Sequence, residues 1–365
     1  MKRINIYLAA VAVFFTAFQL GAQNIEYTDA RDLTLFGQLF PNNENTYQRI
    51  DPEVYGGFDK VETGQVKECA GMAVAFRTDS PGIWARIKGL NTVGGGNTAP
   101  RAKSGMDLYI RDVDGMWRWA GGCSSKEDGA DLGLLFYNSH QDAECILYLP
   151  LFSEISSLEI GVVPGKRLDP LPMPFRHRIA VFGSSYTHGY GCSVPSMTWS
   201  AQLSRMTCLQ FINLGCSGHS KLQPYFAQAL ADAEVDAYVF DGFSNPTPEE
   251  IEERLFPFIE TIQAKNPGKP LIFLQTIYRE WRYANADVER KESRKIATAE
   301  AMMKKACKKY KDVYYVTTTN ATDARHSTTV DGTHPGDYGY TLWAESVMKP
   351  VTEILAKYGI KAKRP

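Results

Sequence analysis

Residues 178–191 read RIAVFGSSYTHGYG, and the fold is decided by how this stretch is read. Arg178-Ile179-Ala180-Val181-Phe182 is a continuous apolar run behind one charge, stopped by Gly183. Such a run, without alternation and bounded by turn residues, reads as a strand buried on both faces. Gly183-Ser184-Ser185-Tyr186-Thr187-His188-Gly189 follows it as a turn dense in hydrogen-bonding side chains.

Toward the C-terminus the pattern alternates. A helix is expected around residues 199–206, a strand over 209–214 and a helix near 224–233. A strand over 236–240 precedes a helix over 248–265 capped by Thr247. A strand over 270–275, a long charged helix over 288–310, a strand over 313–316 and a helix over 337–357 complete the series. Strands alternating with helices predict a parallel sheet covered on both faces. The expectation is an α/β domain of three layers, α/β/α, around five parallel strands.

Toward the N-terminus the rhythm changes. PGKRLDPLPMP at 164–174 is rich in proline, which resists both helix and sheet, and reads as a linker. Before it lie short strand candidates at 73–76, 83–87, 106–110, 116–119, 145–149 and 158–162. Asp79-Ser80-Pro81-Gly82, Gly94-Gly95-Gly96-Asn97 and Asp112-Val113-Asp114-Gly115 separate them as turns. Many short strands at such spacing predict an all-β sandwich of jelly-roll type. The expected division is a signal peptide at 1–22, a β-sandwich at 24–165, a linker at 166–176 and the α/β domain at 177–360.

The signal rests on Lys2 and Arg3, an apolar run from Ile4 to Phe18, and small residues at Leu20-Gly21-Ala22 ahead of Gln23. The apolar run is shorter than the roughly 20 residues that span a bilayer, so cleavage is expected and no stable membrane anchor. Location is then periplasmic or extracellular. The chain has 365 residues and a net charge of −1, with no basic face, which argues against a nucleic-acid partner. Its seven cysteines are scattered, without C-x-x-C pairs, and no pairing is predicted. No H-x-H or H-E-x-x-H spacing supports a metal site, and no cofactor is expected.

In an open parallel sheet the ligand crevice lies beyond the carboxyl ends of the strands. Those ends carry Ser185, then Gly215-Cys216-Ser217-Gly218-His219, then Asp241-Gly242-Phe243-Ser244-Asn245-Pro246, then Thr276-Ile277-Tyr278-Arg279, then Asp331-Gly332-Thr333-His334-Pro335. One sheet edge therefore collects a serine, glycine turns, an asparagine, an aspartate and a histidine. These are the parts of a nucleophile, a base, its orienter and an oxyanion hole. A serine hydroxyl needs a base to attack. His334 can accept its proton near neutral pH, and Asp331, three residues earlier, can reach the imidazole from the same turn. The backbone N–H groups of Ser185 and Gly218 and the Asn245 amide are the candidate oxyanion donors. His188, Tyr278, Arg279 and Trp281 are candidates for the substrate wall, with Tyr283 beside them. Trp84, Trp117 and Trp119 in the sandwich are read as core or interface residues before a sugar platform.

The ordered blocks Gly183-Ser184-Ser185, Asn213-Leu214-Gly215-Cys216-Ser217-Gly218, Asn245 and Asp331-Gly332-Thr333-His334 resemble those of the SGNH/GDSL hydrolase superfamily. The resemblance covers roughly residues 176–358 and is nearest to a bacterial exported subgroup with a sandwich ahead of the hydrolase domain. It implies a flavodoxin-like α/β/α fold and an ester hydrolase, with Ser185, Gly218, Asn245 and His334 as signature residues and Asp331 as the D-x-x-H aspartate. The sequence departs from the pattern at Ser184, where the GDS aspartate would stand, at Phe243, where a glycine would stand, and at Pro246, where an aspartate would stand. The function expected is a serine esterase acting through an acyl-enzyme, with O-deacylation of a carbohydrate as the reaction and a small-molecule or glycan ester as the partner. A non-catalytic glycan-binding protein and a lysophospholipase-like hydrolase are the alternatives.

Overall fold

The computed structural model describes residues 24–363 apart from 95, 125, 126 and 141, so the stretch read as an export signal lies outside the described residues. Five parallel strands form the second half: β1 (Arg176–Gly183), β2 (Leu209–Gly215), β3 (Ala237–Asp241), β4 (Leu271–Leu274) and β5 (Val313–Val316), in the order β2-β1-β3-β4-β5. Six helices accompany them: α1 (Ser185–His188), α2 (Trp199–Thr207), α3 (Pro224–Asp232), α4 (Pro248–Lys265), α5 (Ala286–Lys309) and α6 (Asp337–Ala356). The chain runs from β1 to β2 on one side and then returns past β1 to β3 on the other. This reversal makes the carboxyl end of β1 the switch point of the sheet, where a crevice opens.

Successive residues of each strand enter opposite layers. Ala180, Phe182, Tyr238, Phe240, Leu271 and Phe273 pack with residues of α3, α4 and α5. Ile179, Val181, Val239, Ile272 and Leu274 pack with Trp199 and Leu203 of α2 and Trp343 and Val347 of α6. The strands are apolar throughout because both faces are covered, as the sequence leads one to expect. Helix α4 starts as anticipated, with a capping box in which Thr247 accepts from the Glu250 N–H and the Glu250 carboxylate accepts from the Thr247 N–H.

The first half is a sandwich. One sheet runs Glu26–Asp29, Ser157–Val162, Gly82–Lys88, Leu132–Phe136. The facing sheet runs Leu168–Pro170, Ala73–Thr78, Ala143–Tyr148, Gly105–Arg111, Trp117–Ser124, with Thr34–Phe36 also pairing to Ala73–Thr78. Val74, Phe76, Leu108, Leu147, Ile83, Ile87 and Ile160 fill the space between. The outer face of the second sheet is covered too. Ala73, Ala75, Ile146 and Tyr148 pack on Leu171, Phe175 and Ala201. That second contact explains why AVAF at 73–76 shows no alternation.

Two readings of the sequence need correction. The proline-rich stretch is not wholly a linker: Leu168–Pro170 pairs with Phe76–Thr78 as an edge strand, where a missing proline N–H costs no ladder bond. And the first half is not purely β. Between Gly37 and Ala70 the chain leaves the sandwich and adds Leu39, Ile50 and Val66 to the core around α3 and α4. This excursion contains a helix, Lys60–Lys67, opened by an Asp59–Glu62 capping box. Among the described residues no helix is long and apolar enough to cross a membrane. All seven cysteines are free thiols.

Candidate functional site

The switch point carries the predicted set. Ser184 caps α1, its hydroxyl accepting from the Tyr186 N–H at 3.1 Å, and so puts Ser185 at the first helical position. The Ser185 Oγ lies 2.9 Å from His334 Nε2. His334 sits in a hairpin closed by the Val330 N–H donating to the His334 carbonyl at 2.8 Å, with Gly332 at its tip at φ +80°. Asp331 grips this turn. Its Oδ1 accepts from the backbone N–H of His334 at 2.8 Å and of Thr333 at 3.0 Å. Its Oδ2 lies 2.8 Å from His334 Nδ1. With Nδ1–H held by the carboxylate, Nε2 is the free base facing the serine.

Burial holds the His334 imidazole below its ordinary value, against the pull of Asp331, and the Arg279 charge adds to the effect. The ring is therefore neutral near pH 7. Burial opposes ionisation of Asp331, but the His334 backbone and ring donors and the Asn97 amide outweigh it and keep the carboxyl below its usual range. The arrangement can deprotonate a hydroxyl and return the proton to a leaving group.

A buried carboxylate that sequence reasoning missed fixes this hairpin. Glu280 accepts from the backbone N–H of Thr328 at 3.0 Å and of Thr329 at 3.1 Å, and from the hydroxyls of Thr322, Thr328 and Thr329. Burial resists its charge, yet these donors prevail and lower its pKa to about 2. Its partners lie more than 40 residues away in the chain, so no local motif announces it.

The oxyanion candidates flank β1 on both sides. The Ser185 N–H opens α1 and has no carbonyl to meet within its helix. Gly218, beyond β2, has φ +76°, which favours glycine, and a Cβ there would point into open space. Asn245, beyond β3, accepts from the Ser220 N–H through Oδ1 at 3.3 Å, which leaves its amide Nδ2 as a donor. Phe243 turns into the core and stacks on Phe273, with ring centroids 5.8 Å apart, so the departure from glycine is absorbed below the site. Asp241, at the end of β3, ties two blocks together. It accepts from the Ser184 N–H at 3.0 Å, the Ser184 hydroxyl at 2.6 Å, the Thr187 hydroxyl at 3.2 Å and the Ser244 hydroxyl. Burial raises its pKa, and these four donors oppose the rise.

The wall candidates separate. His188 is not on the wall. It is fully buried between the halves, with Nε2 2.9 Å from the Leu151 carbonyl and from Glu68 Oε2, and accepts from the Ser217 hydroxyl at 3.0 Å. Next to it Arg49 donates to the Gly215 carbonyl at 2.8 Å, and Gln65 to the Ser217 carbonyl at 3.0 Å. The first half thus braces the Gly215–Gly218 turn. Arg279 points inward, donating to the Ser244 carbonyl at 2.7 Å and facing Glu292. Tyr278 packs against His326 and under the Arg282 guanidinium. Trp281 is exposed, and its N–H donates to the Gly332 carbonyl at 2.7 Å, which leaves its indole beside the histidine hairpin. In the sandwich, Trp84 is buried, Trp117 packs on the interface cluster, and Trp119 is exposed at a cleft of about 350 Å³ with Tyr137 and His140.

Asp59, Glu62 and His219 gather ligating atoms within 4.8 Å of one another. These groups already serve the protein: Asp59 caps the Lys60–Lys67 helix, and Glu62 accepts from the Asp59 N–H, Gln223 and Tyr225. Two further neighbours of the catalytic candidates went unnoticed in the sequence. Asn97, read there only as a turn residue, donates from Nδ2 to Asp331 Oδ2 at 3.1 Å. The Tyr190 ring lies over the His334 imidazole, 4.3 Å between centroids.

Residues 176–352 match the family described as GDSL-like lipase/acylhydrolase, and residues 25–168 match the N-terminus of SGNH hydrolase-type esterases. A GDSL-like lipase from Bacteroides ovatus, so far assigned only by likeness, is 32% identical with a TM-score of 0.86, covering 93% of this chain and 99% of that one. A salicylyl-acyltransferase from a tetracycline biosynthetic pathway is 20% identical with a TM-score of 0.69, covering 92% and 98%. A family two carbohydrate esterase from Cellvibrio japonicus is 12% identical with a TM-score of 0.58, covering 92% and 99%. No protein of curated function matches the chain in sequence.

Proposed function

Because the chain belongs to the GDSL-like lipase/acylhydrolase family and is a serine ester hydrolase, we propose that it removes O-acyl groups, acetyl in the first instance, from a carbohydrate through an acyl-enzyme on Ser185. The observation that carries the assignment of roles is the run Ser185 Oγ–His334 Nε2 at 2.9 Å and His334 Nδ1–Asp331 Oδ2 at 2.8 Å.

The steps follow from those atoms. Ser185 Oγ attacks the ester carbonyl while its proton passes to His334 Nε2. The negative oxygen is met by the Ser185 and Gly218 N–H groups and the Asn245 amide. Collapse expels the sugar alkoxide, which takes the proton from His334. Water then loses a proton to His334, attacks the acyl carbon and frees Ser185. Asp331 stays ionised and holds the ring in one tautomer.

The carbohydrate choice draws on the fold shared with carbohydrate esterases and on the export-type N-terminus, which also makes the protein periplasmic or extracellular in this reading. A fluorophosphonate probe should label wild-type protein and leave Ser185→Ala unlabelled. Acetylated glycans should be hydrolysed faster than long-chain acyl esters. No label on Ser185 in folded protein, with short p-nitrophenyl esters intact, rejects the mechanism. Preference for long acyl chains rejects the carbohydrate substrate alone.

A further inference from the structure

We propose that Asn97, a residue of the sandwich half, is a positioning residue of the catalytic set, so that the docked sandwich helps to orient a triad carried by the hydrolase domain. The inference rests on the roles given above to Ser185, His334 and Asp331.

Asp331 has four hydrogen-bond contacts among the described residues. Three come from its own turn: the Thr333 N–H, the His334 N–H and the His334 ring. The fourth is the Asn97 amide at 3.1 Å, from 234 residues earlier in the chain. It is the contact that ties the carboxylate to something outside its own turn. Asn97 is itself anchored. Its N–H faces the Tyr190 hydroxyl at 3.5 Å, and the adjacent Thr98, buried, accepts from the Gly191 N–H at 3.5 Å. Val93, at the start of this loop, donates to the Phe152 carbonyl at 3.0 Å. The Tyr190 ring in turn covers the imidazole. Asn97, Asp331, His334 and Tyr190 therefore form a closed circuit in which each touches the next.

The amide meets Oδ2, the same oxygen that receives the ring Nδ1–H. It fixes the carboxylate plane and withdraws charge from the oxygen facing the ring. Without it the carboxylate is more basic and holds a protonated ring better, yet it rotates more freely. The other groups facing this pair are the Arg279 guanidinium and the rings of Tyr186 and Tyr190, none of which replaces a donor to Oδ2. Removing the amide should therefore lower the rate through poorer orientation and shift the imidazole pKa upward.

The test compares Asn97→Ala and the isosteric Asn97→Asp, which keeps the shape and turns the donor into an acceptor. On a short soluble ester, Asn97→Ala should lose about tenfold in kcat with KM unchanged, and the acid limb of kcat/KM should move to higher pH. Asn97→Asp should lose more, since it sets carboxylate against carboxylate. Both variants should unfold at the wild-type temperature, because the residue is exposed. NMR titration of the His334 ring reads the same shift without turnover. An unshifted ring in both variants overturns the inference, even if the wild type proves inactive on esters. A raised KM with an unmoved pH profile also overturns it and makes Asn97 a substrate contact.

Discussion

The Ser184 hydroxyl donates to Asp241 at 2.6 Å, joining the residue before the nucleophile to the end of the neighbouring strand. Three more donors converge on that buried carboxylate, from the Ser184 backbone, Thr187 and Ser244. The sequence lacks an aspartate at 184, and the structure places one carboxylate between the Ser185 and Asn245 blocks from β3 instead.

Asp241→Ala would leave the Ser184 N–H and the Ser184 and Thr187 hydroxyls without an acceptor, while the Ser244 hydroxyl keeps the Thr276 hydroxyl at 2.9 Å. The expected loss is about 3 kcal/mol or more, since an unmet buried polar group costs about 1–3 kcal/mol and several are unmet here. Urea unfolding measures it. An unchanged midpoint would show that the donors find other partners and that Asp241 is not the clamp it resembles.

Acidification should switch the enzyme off through His334. Its pKa in the folded protein lies below the ordinary 6.5, so the neutral base persists to lower pH than a free imidazole would allow. Activity is present above that lowered value and is lost as pH falls through it. A profile of kcat/KM with its acid limb above pH 6.5 contradicts this environment. Asp331→Asn should fold normally and lose about 10³–10⁴-fold in kcat, because the ring would no longer be held in the useful tautomer.

Most of this site was legible because its chemistry lies within short segments. Ser185, Gly218, Asn245, Asp331 and His334 each follow a strand end, and strand ends are where a parallel sheet concentrates reactive groups. The apolar runs of β1 to β5 were readable for a related cause: burial on both faces leaves no polar residues to confuse the pattern. What was not legible depends on contacts between distant segments. Glu280 acts on threonines more than 40 residues away, and Asn97 reaches Asp331 across the domain interface. His188 reads from sequence as a wall residue because its position, three residues after Ser185, says nothing of which side of the turn it faces. The excursion from 37 to 70 was hidden because its apolar residues, Leu39, Ile50 and Val66, serve another domain's core and so show no period of their own.

Glu280 offers a separate acid-stability prediction. Its pKa is lowered from 4.5 to about 2 in the folded protein, so the unfolded chain binds the proton first. The stabilisation is present in full above about pH 4.5 and is lost as pH falls toward 2. Glu280→Gln should flatten the stability profile across that window and cost about 1–3 kcal/mol at neutral pH, because an amide cannot accept from both threonine N–H groups and their hydroxyls. Thermal unfolding at a series of pH values tests this. A wild-type profile already flat between pH 5 and 3 counts against it.

Asn245 decides whether the third block still works despite its neighbours. Phe243 is buried away from the site, and the Ser220 N–H fixes the amide by its oxygen. The remaining donor, Nδ2, makes no hydrogen bond among the described residues and can serve a developing oxyanion in the proposed mechanism. Loss of one such donor typically costs 10²–10³-fold in kcat, about 2.7–4 kcal/mol of barrier. Asn245→Ala should therefore lower kcat by that factor with little change in KM, since a group used only in the transition state leaves substrate binding alone. Gly218→Ala should behave differently. It keeps its N–H, carries the strain of a side chain at φ +76°, about 1–2 kcal/mol, and places a methyl in the open space beside the proposed oxyanion hole. Its expected signature is a raised KM. Steady-state kinetics on one short ester separates the two: if Asn245→Ala raises KM and spares kcat, its amide binds substrate and the oxyanion is held by the backbone N–H groups alone.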